Sequence, residues 1–402
     1  MKISKEKLII IITVLIDVIG VGIVIPVLPY FVQSVGASAW VITTMFAVFS
    51  LCSFLSAPML GALSDRFGRR PALIASLAST AVGWFVFAGA TNVITLFIGR
   101  IIDGMAAGNF SIAQSCMADL SKNQKERTAN MGLIGAIFGI GFVIGPVIGA
   151  LLSHVSMSFP FYFVGVLAGL NTIAAFFFLP ESNKDLDKHK KISIHPLAPL
   201  KLAWADKPLR SRYFVLFLFG LAFAAQQSVF ALYTQDTFNF DVRLTGYLMT
   251  FIGIIMIVNQ GYLLKHFWLK NFNEKNLEIW LLLLTGFGFF MTSASFLSVF
   301  ILGILVMTLS QSVLRAVMSS RITGLADPKA KGEVAGIMSA LMTLGMIIGP
   351  LGIGVIYEFN EHLPFMMSGL FLVIAFLVMF VNRNKIPESR FHHEEVEPIE
   401  VL

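Results

Sequence analysis

Charge is scarce in this chain and cysteine scarcer. Of 402 residues, 13% are Asp, Glu, Lys or Arg, where an ordinary soluble domain carries about 25%. Hydrophobic residues make up 56%, and the mean hydropathy is +0.81. Such a chain has too little polar surface to be an ordinary soluble protein, and its composition is that of a polytopic membrane protein. The only two cysteines, Cys52 and Cys116, lie inside apolar runs, where a disulfide framework is not expected. A phosphate-cradling loop ending in Lys-Ser/Thr is missing, which argues against ATP as a driver. All seven histidines, His154, His189, His195, His266, His362, His392 and His393, fall in expected loops or tails. An enzyme embedded in the membrane would need a convergent nucleophile and base or a metal cluster, and neither is legible. The pair His392-His393 reads as solvated tail, and no large extramembrane domain supports a receptor.

What the chain does have is long apolar runs. Twelve spans are expected, at 8–32, 40–60, 72–90, 93–117, 130–152, 160–180, 212–235, 244–264, 277–296, 298–322, 334–357 and 363–382. Each is close to the ~20 residues that cross a hydrocarbon core as helix. The N-terminal MKISKEK followed by an apolar run imitates a signal peptide. No small-residue cleavage site follows, and the run continues through Pro26 and Pro29, so it reads as a retained first helix. The longest hydrophilic stretch runs from Glu181 to Arg212, with Lys184, Lys188, Lys190, Lys191, Lys201, Lys207, Arg210 and three prolines, Pro196, Pro199 and Pro208. The expected organisation is a six-helix bundle over 1–182, a linker over 183–211, a second six-helix bundle over 212–382 and a tail over 383–402.

The net charge of +6 would suggest a nucleic-acid partner in a soluble chain, but here the placement of the charges decides. With the N-terminus inside, Arg243 is the basic residue in the loops assigned outside, and Arg100 and Arg315 are intramembrane. This satisfies the positive-inside rule and puts both termini in the cytoplasm. The halves also echo each other: Gly61, Leu63 and Phe67 recur as Gly261, Leu263 and Phe267, Gly145-Pro146 as Gly349-Pro350, and Ala118-Asp119 as Ala326-Asp327. Parallel repeats of this kind place a solute site between two bundles near the midplane.

The stretch Gly61 to Leu73, GALSDRFGRRPAL, is the charged interruption of the first 120 or so residues. It is expected to be a tight surface turn presenting Asp65 among Arg66, Arg69 and Arg70. It resembles the loop 2–3 signature of the major facilitator superfamily, Gly-x-Leu-x-Asp-Arg-x-Gly-Arg-Arg, and Gly61, Leu63, Asp65, Arg66, Gly68, Arg69 and Arg70 fill every fixed position. The resemblance implies an all-α membrane fold of twelve helices in two pseudo-symmetric bundles. It also implies that Asp119, at the end of span 4, reaches Arg69, while Asp65 faces the N-terminus of span 11, whose free N–H groups favour an anion. That contact would be a cytoplasmic latch, made when the carrier opens outward and broken when it opens inward.

An ionisable group in hydrocarbon is a functional hypothesis by default. Asp17 is the only acid of span 1, about 14 Å from Leu8 along the helix. Gly20, Gly22, Pro26 and Pro29 follow it and are expected to loosen the helix. Its carboxyl either bonds to a neighbouring helix or loads and unloads protons. Arg100 and Asp103 lie three residues apart on one face of span 4 and either pair statically or trade partners with Asp17. The arginine resembles the Arg-x-x-x-Gly feature of proton-coupled facilitators, which implies an influence on a protonation site. Span 5, GAIFGIGFVIGPVIGALL, has a small-residue face that includes Gly135 and Gly139. Its Gly141, Gly145, Pro146 and Gly149 resemble the antiporter motif of the drug-exporting branch, which implies export rather than uptake. In the second half no buried acid is expected. Gln226, Gln227, Tyr233, Asn259, Gln260, Gln311 and Arg315 are the polar residues at membrane positions, available either to solute or to neighbouring helices.

Over residues 10–380 the chain is most similar to tetracycline-type exporters, through VGIVIPVLP, PFYF and KGEVAGIMSALMTLGMIIGP. In those exporters spans 3 and 9 each carry an aspartate. The matching TAVGWFVFAG and LLLTGFGFFM carry none, so the likeness leaves the drug itself open. With 38 Phe and 18 Met, an adaptable apolar cavity is expected. The sequence thus reads as a proton-coupled exporter of small amphipathic or drug-like molecules in a bacterial inner membrane, not an enzyme. Protons are the coupling ion; no cofactor, metal or nucleic acid is expected, the bilayer is its surroundings, and a monomer is expected. The same fold would also serve an exporter or symporter dedicated to one metabolite or siderophore.

Overall fold

In hydrocarbon no water completes the bonds of an exposed backbone, so a span must satisfy its own N–H and C=O groups as helix. The structure, a computed structural model, describes residues 5–121, 124–183, 198–206, 209–327 and 330–383, and outside its turns and short loops this chain is helical. In the first bundle α1 is Lys5–Ser34, α2 Ala39–Phe67, α3 Arg69–Ala88, α4 Val93–Ala106, α5 Asn109–Asp119, α6 Gln124–Leu152 and α7 Phe159–Phe178. A short α8, Ala198–Ala205, precedes the second bundle. That bundle comprises α9 Arg210–Phe238, α10 Val242–Val258, α11 Leu269–Asn271, α12 Glu274–Thr292, α13 Leu297–Leu325, α14 Lys331–Phe359 and α15 Leu363–Val381. The expected linker positions 184–197, 207 and 208, with His189 and His195, and the tail from 384, with His392 and His393, lie outside the described residues.

Several sequence expectations change. The basic stretch is not a loop: α2 stays helical through Phe67 and α3 begins at Arg69, so Gly68 alone turns the chain, at φ 107°. Once a helix end reaches the interface, its polar residues keep the same backbone bonds and need no turn. Gly68 has a second reason to be glycine, since a Cβ there would strike the carboxylate of Glu181. Span 4 is two helices, broken at Ala107-Gly108. Ser56 Oγ donates to the carbonyl of Gly104 at 3.0 Å and Ser76 Oγ to that of Ala106, so hydroxyls of α2 and α3 reach carbonyls beside the break. Span 8 continues from α10 as a π-helix, Asn259–Trp268, into α11. His266 therefore lies in a helix rather than a loop, stacked on Tyr262 with ring centroids 4.5 Å apart.

Eleven of the described helical stretches are long and apolar enough to cross a membrane, with α4–α5 and α10–α11 each counted as one. The twelfth, α12, falls short because Glu274, Lys275 and Glu278 crowd its first turns.

The repeat is visible in the packing. Gly22 of α1 meets Gly145 of α6 backbone to backbone, and Gly220 of α9 meets Gly345 of α14 in the same way. Two ends can be distinguished: a terminal face, where α1 begins and α15 ends, and the opposite far face. In the far half the cores of the two bundles merge into one apolar cluster, in which Phe31, Met45 and Phe161 share packing with Phe219, Phe300 and Tyr357. In the terminal half the first bundle keeps a core of its own around Val14, Leu77, Met117 and Ile134. Contacts between the bundles follow the same division. Tyr30 donates to Phe240 O at 3.0 Å, Glu358 accepts from the backbone N–H of Trp40 at 3.0 Å, and Thr250 donates to Val143 O at 3.2 Å. Toward the terminal face Gly332 and Gly336 of α14 and Gly61 of α2 have nothing within 4 Å of a modest side chain. The bundles are closed together at the far face and parted toward the terminal face.

Candidate functional site

At the terminal face the signature residues converge around Arg69. Its guanidinium pairs with Asp65 at 2.6 Å and Asp119 at 3.2 Å, and donates to Ser64 Oγ at 2.7 Å. The reach from Asp119 to Arg69 expected from sequence is present. Arg70 donates to the carbonyl of Phe176 at 2.6 Å, while Arg66 lies over the ring of Phe67 at 5.2 Å. Glu181, which in sequence only opens the long hydrophilic stretch, has a carboxylate that accepts from the backbone N–H groups of Arg69 and Arg70 at 2.9 and 3.1 Å. An anion at a helix start satisfies donors that have no partner within the helix. Glu181 thereby ties the end of α7 to the turn between α2 and α3.

Deeper in the first bundle, Arg100 and Asp103 form a buried pair at 3.2 Å. Trp84, Phe87 and Phe49 surround the guanidinium, their ring centroids 4.6, 4.9 and 5.5 Å from its carbon. The Nε and Nη2 of Arg100 have no hydrogen-bond acceptor, so the ring faces add to Asp103 in offsetting its desolvation. Gly83 gives Asp103 its room, because a Cβ on α3 would lie 2.9 Å from the Asp103 nitrogen. Asp17 sits about 18 Å along α1 from Lys5. It is half-buried, within electrostatic range of Asp103, and makes no hydrogen bond or ion pair among the described residues. The three expected residues are thus a bound pair and one unbonded acid rather than a closed triad.

The glycine face of α6 lies on α1 next to this acid. A Cβ on Gly141 would lie 2.5 Å from Val18, one on Gly145 2.6 Å from the Gly22 backbone, and one on Gly149 2.9 Å from Ile23 O. Pro146 sits within α6, and its carbonyl faces Gly246 of α10. One helix therefore touches the Asp17 segment and the opposite bundle together.

The polar residues of the second bundle divide. Tyr233 is fully buried, bonded to Ala294 O at 3.2 Å and His362 Nδ1 at 3.0 Å, and ringed by Phe238, Phe300 and Phe365. Asn259 is fully buried too, donating to Leu309 O and Ser312 Oγ and accepting from Trp268 Nε1. In this conformation neither offers surface to a solute, and of the two roles the sequence left open both fill the one of bonding neighbouring helices. Gln260 donates to Ser312 O at 3.2 Å. Gln226 and Gln227 are half-buried, and Gln226 Oε1 has no donor. Gln311 Nε2 has no acceptor, and Arg315 is exposed and without any bonded partner among the described residues.

A buried acid does exist in the second bundle, contrary to expectation. Glu278 of α12, 1% exposed, accepts from Arg212 of α9 at 2.9 Å and pairs with Arg321 of α13 at 2.9 Å. In sequence each of the three stands at the edge of its span, at the same membrane face, where a charge ordinarily reads as interfacial; that coincidence was the available signal. A cleft of about 390 Å³ lined by Tyr30, His154, Gln235, Asp241 and Arg243 lies at the far face, away from all these charges.

Comparison with known proteins follows this geometry. The model of the Major Facilitator Superfamily matches residues 10–273 and 261–401. The chain is 28% identical over 361 residues to the tetracycline resistance protein, class C, of Escherichia coli, covering 89% of this chain and 91% of that one. It is 28% identical over 394 residues to multidrug resistance protein 2 of Bacillus subtilis, covering 95% and 97%. A crystal structure of the nucleoside transporter NupG superposes with a TM-score of 0.74 at 14% identity, covering 95% of this chain and 99% of that one.

Proposed function

The chain belongs to the Major Facilitator Superfamily, a family of secondary-active small-molecule carriers, and on that premise we propose that it is a proton-coupled exporter of amphipathic or drug-like solutes. The observation that carries the reading is the seating of the α6 glycine face on α1, beside an unbonded Asp17 and against the second bundle. A proton arriving at that acid changes the charge at the point where α1, α6 and α10 meet. Asp103 lies within the field of Asp17, and Arg100 acts on that acid through its pairing with Asp103. The resistance proteins among its relatives favour the drug-exporting branch, near the tetracycline type.

In this reading residues 1–182 and 212–382 move as two bodies joined by the 183–211 linker. The terminal face is cytoplasmic by its basic residues, among them Lys7, Arg66, Arg69, Arg70 and Arg210, while the far-face loops carry Arg243. The conformation is then open to the cytoplasm. Asp65, Arg69 and Asp119 belong to the gate that closes this face, and the bacterial inner membrane is the setting. Inward proton movement is worth ~2.3 kcal/mol per charge per 100 mV, which is enough to drive export.

Drug accumulation in an efflux-deficient host tests the proposal. Cells expressing the chain should accumulate less of a transported compound than control cells, and a protonophore should erase the difference. A difference that survives the protonophore would remove proton coupling.

A further inference from the structure

The open face of α13 toward the terminal end is polar: Arg315, Ser319 and Ser320 are exposed and Thr323 is half-exposed, while Val313, Leu314, Val317, Met318 and Ile322 on the other side are buried. Faces that meet lipid look different; beyond the polar first turn of α12 its exposed residues are Trp280, Leu284 and Phe287, and those of α15 include Met366, Leu370 and Leu377. An exposed polar helix face at membrane depth has to border water, so this one lines the opening between the parted bundles.

Arg315 lies on that wall about 15 Å along the helix from Leu325, well inside the hydrocarbon. It makes no hydrogen bond, ion pair or ring contact among the described residues. The other arginines at depth are accounted for: Arg100 by Asp103 and three rings, and Arg212 and Arg321 by Glu278. Gln311, one turn earlier on α13 and 8% exposed, carries an amide Nε2 with no acceptor. Residues four apart share a helix face. An unfilled guanidinium therefore stands at the cavity wall, with an unfilled amide donor buried one turn behind it.

We infer that the transported solute is an organic anion, whose carboxylate or sulfonate is held by Arg315, with the Gln311 amide turning out from behind it to add a second donor. The inference rests on the carrier reading above and narrows it to one charge class. A guanidinium donates two parallel hydrogen bonds to such a group, and these charge-assisted bonds are stronger than neutral ones. A lone fixed cation also repels a cationic solute, so the same residue selects against the opposite class. Asp17 stands at similar depth on the other bundle and is the internal acceptor that would compete for Arg315 if the residue's role were purely structural.

The test is equilibrium binding to purified protein in detergent, with no pH gradient, using fluorescein and a cationic rhodamine. These probes share a ring system and differ in charge. The parent should bind fluorescein more tightly than the rhodamine. Arg315→Gln should weaken fluorescein by about tenfold or more and leave the rhodamine unchanged or tighter, while Arg315→Lys, which keeps the charge but not the fork, should fall between parent and Arg315→Gln. Gln311→Leu should weaken fluorescein by a smaller factor. The inference is overturned if the parent shows no preference for fluorescein, or if Arg315→Gln keeps the parental affinity, as it would were Asp17 the partner of Arg315. Because binding is read without a gradient, loss of proton coupling would sink the exporter reading and leave this result standing.

Discussion

At the scale of single residues, the charges in the membrane differ sharply in how they are held, and that difference governs what each substitution should do. Glu278 is the one acid between two buried arginines, so Glu278→Ala leaves two uncompensated cations and should cost about 3–5 kcal/mol. Thermal unfolding of the purified variant would read this as a large fall in Tm, and an unchanged Tm would contradict the geometry. Asp17 has no bonded partner to lose, so Asp17→Asn should leave Tm near the parental value while abolishing gradient-driven transport. Asp17 was legible in the sequence because an isolated acid in an apolar run stands out. Glu278 and Glu181 were not, since each lies at the end of a hydrophobic run, where a carboxylate has a ready explanation as interfacial. Only the fold shows that Glu278 turns inward between Arg212 and Arg321 and that Glu181 caps α3. For Tyr233 and Asn259, polar at membrane depth, sequence left solute and neighbouring helices open, and in this conformation the fold bonds both to neighbouring helices.

At the scale of helices, the glycines of α6 decide how closely it can lie on α1. Gly145→Ala places a methyl against the Gly22 backbone, with no flexible side chain to move aside, and should cost about 1–3 kcal/mol by overpacking. A loss of transport with little change in the amount of inserted protein is the expected result. At the far face Gly354 of α14 packs on Trp40 and Thr43 of α2, and Glu358 accepts from the Trp40 backbone N–H. Gly354→Val should force these ends apart and bias the carrier toward its outward-open form. A cysteine introduced at Gln226 should then label faster from the far side than in the parent background; equal labelling would show that this contact does not hold the face shut. Periodicity and hydropathy located the helical stretches, eleven of which are long and apolar enough to cross a membrane, and the glycine face, because length and small residues are written locally. They missed the break at Ala107-Gly108, the π-helix after Val258 and the helix Ala198–Ala205, which depend on hydroxyl and amide partners from other helices or on linker packing.

At the scale of the whole molecule, two bundles meet at one face and part at the other, with Asp17 and Arg315 at similar depth on either side. The pseudo-symmetry is geometric but not electrostatic. Around Arg69 one cation serves two acids, whereas around Glu278 one acid serves two cations. The sequence carries a related asymmetry: where Gly61, Leu63 and Phe67 recur as Gly261, Leu263 and Phe267, Lys265 stands in place of Asp65. Reconstituted protein under an imposed pH gradient is the most direct test of proton-driven alternation. The parent should concentrate its solute uphill, and the Asp17→Asn, Asp103→Asn double variant should only equilibrate it down its own gradient. Uphill pumping by the double variant at the parental rate would contradict the account.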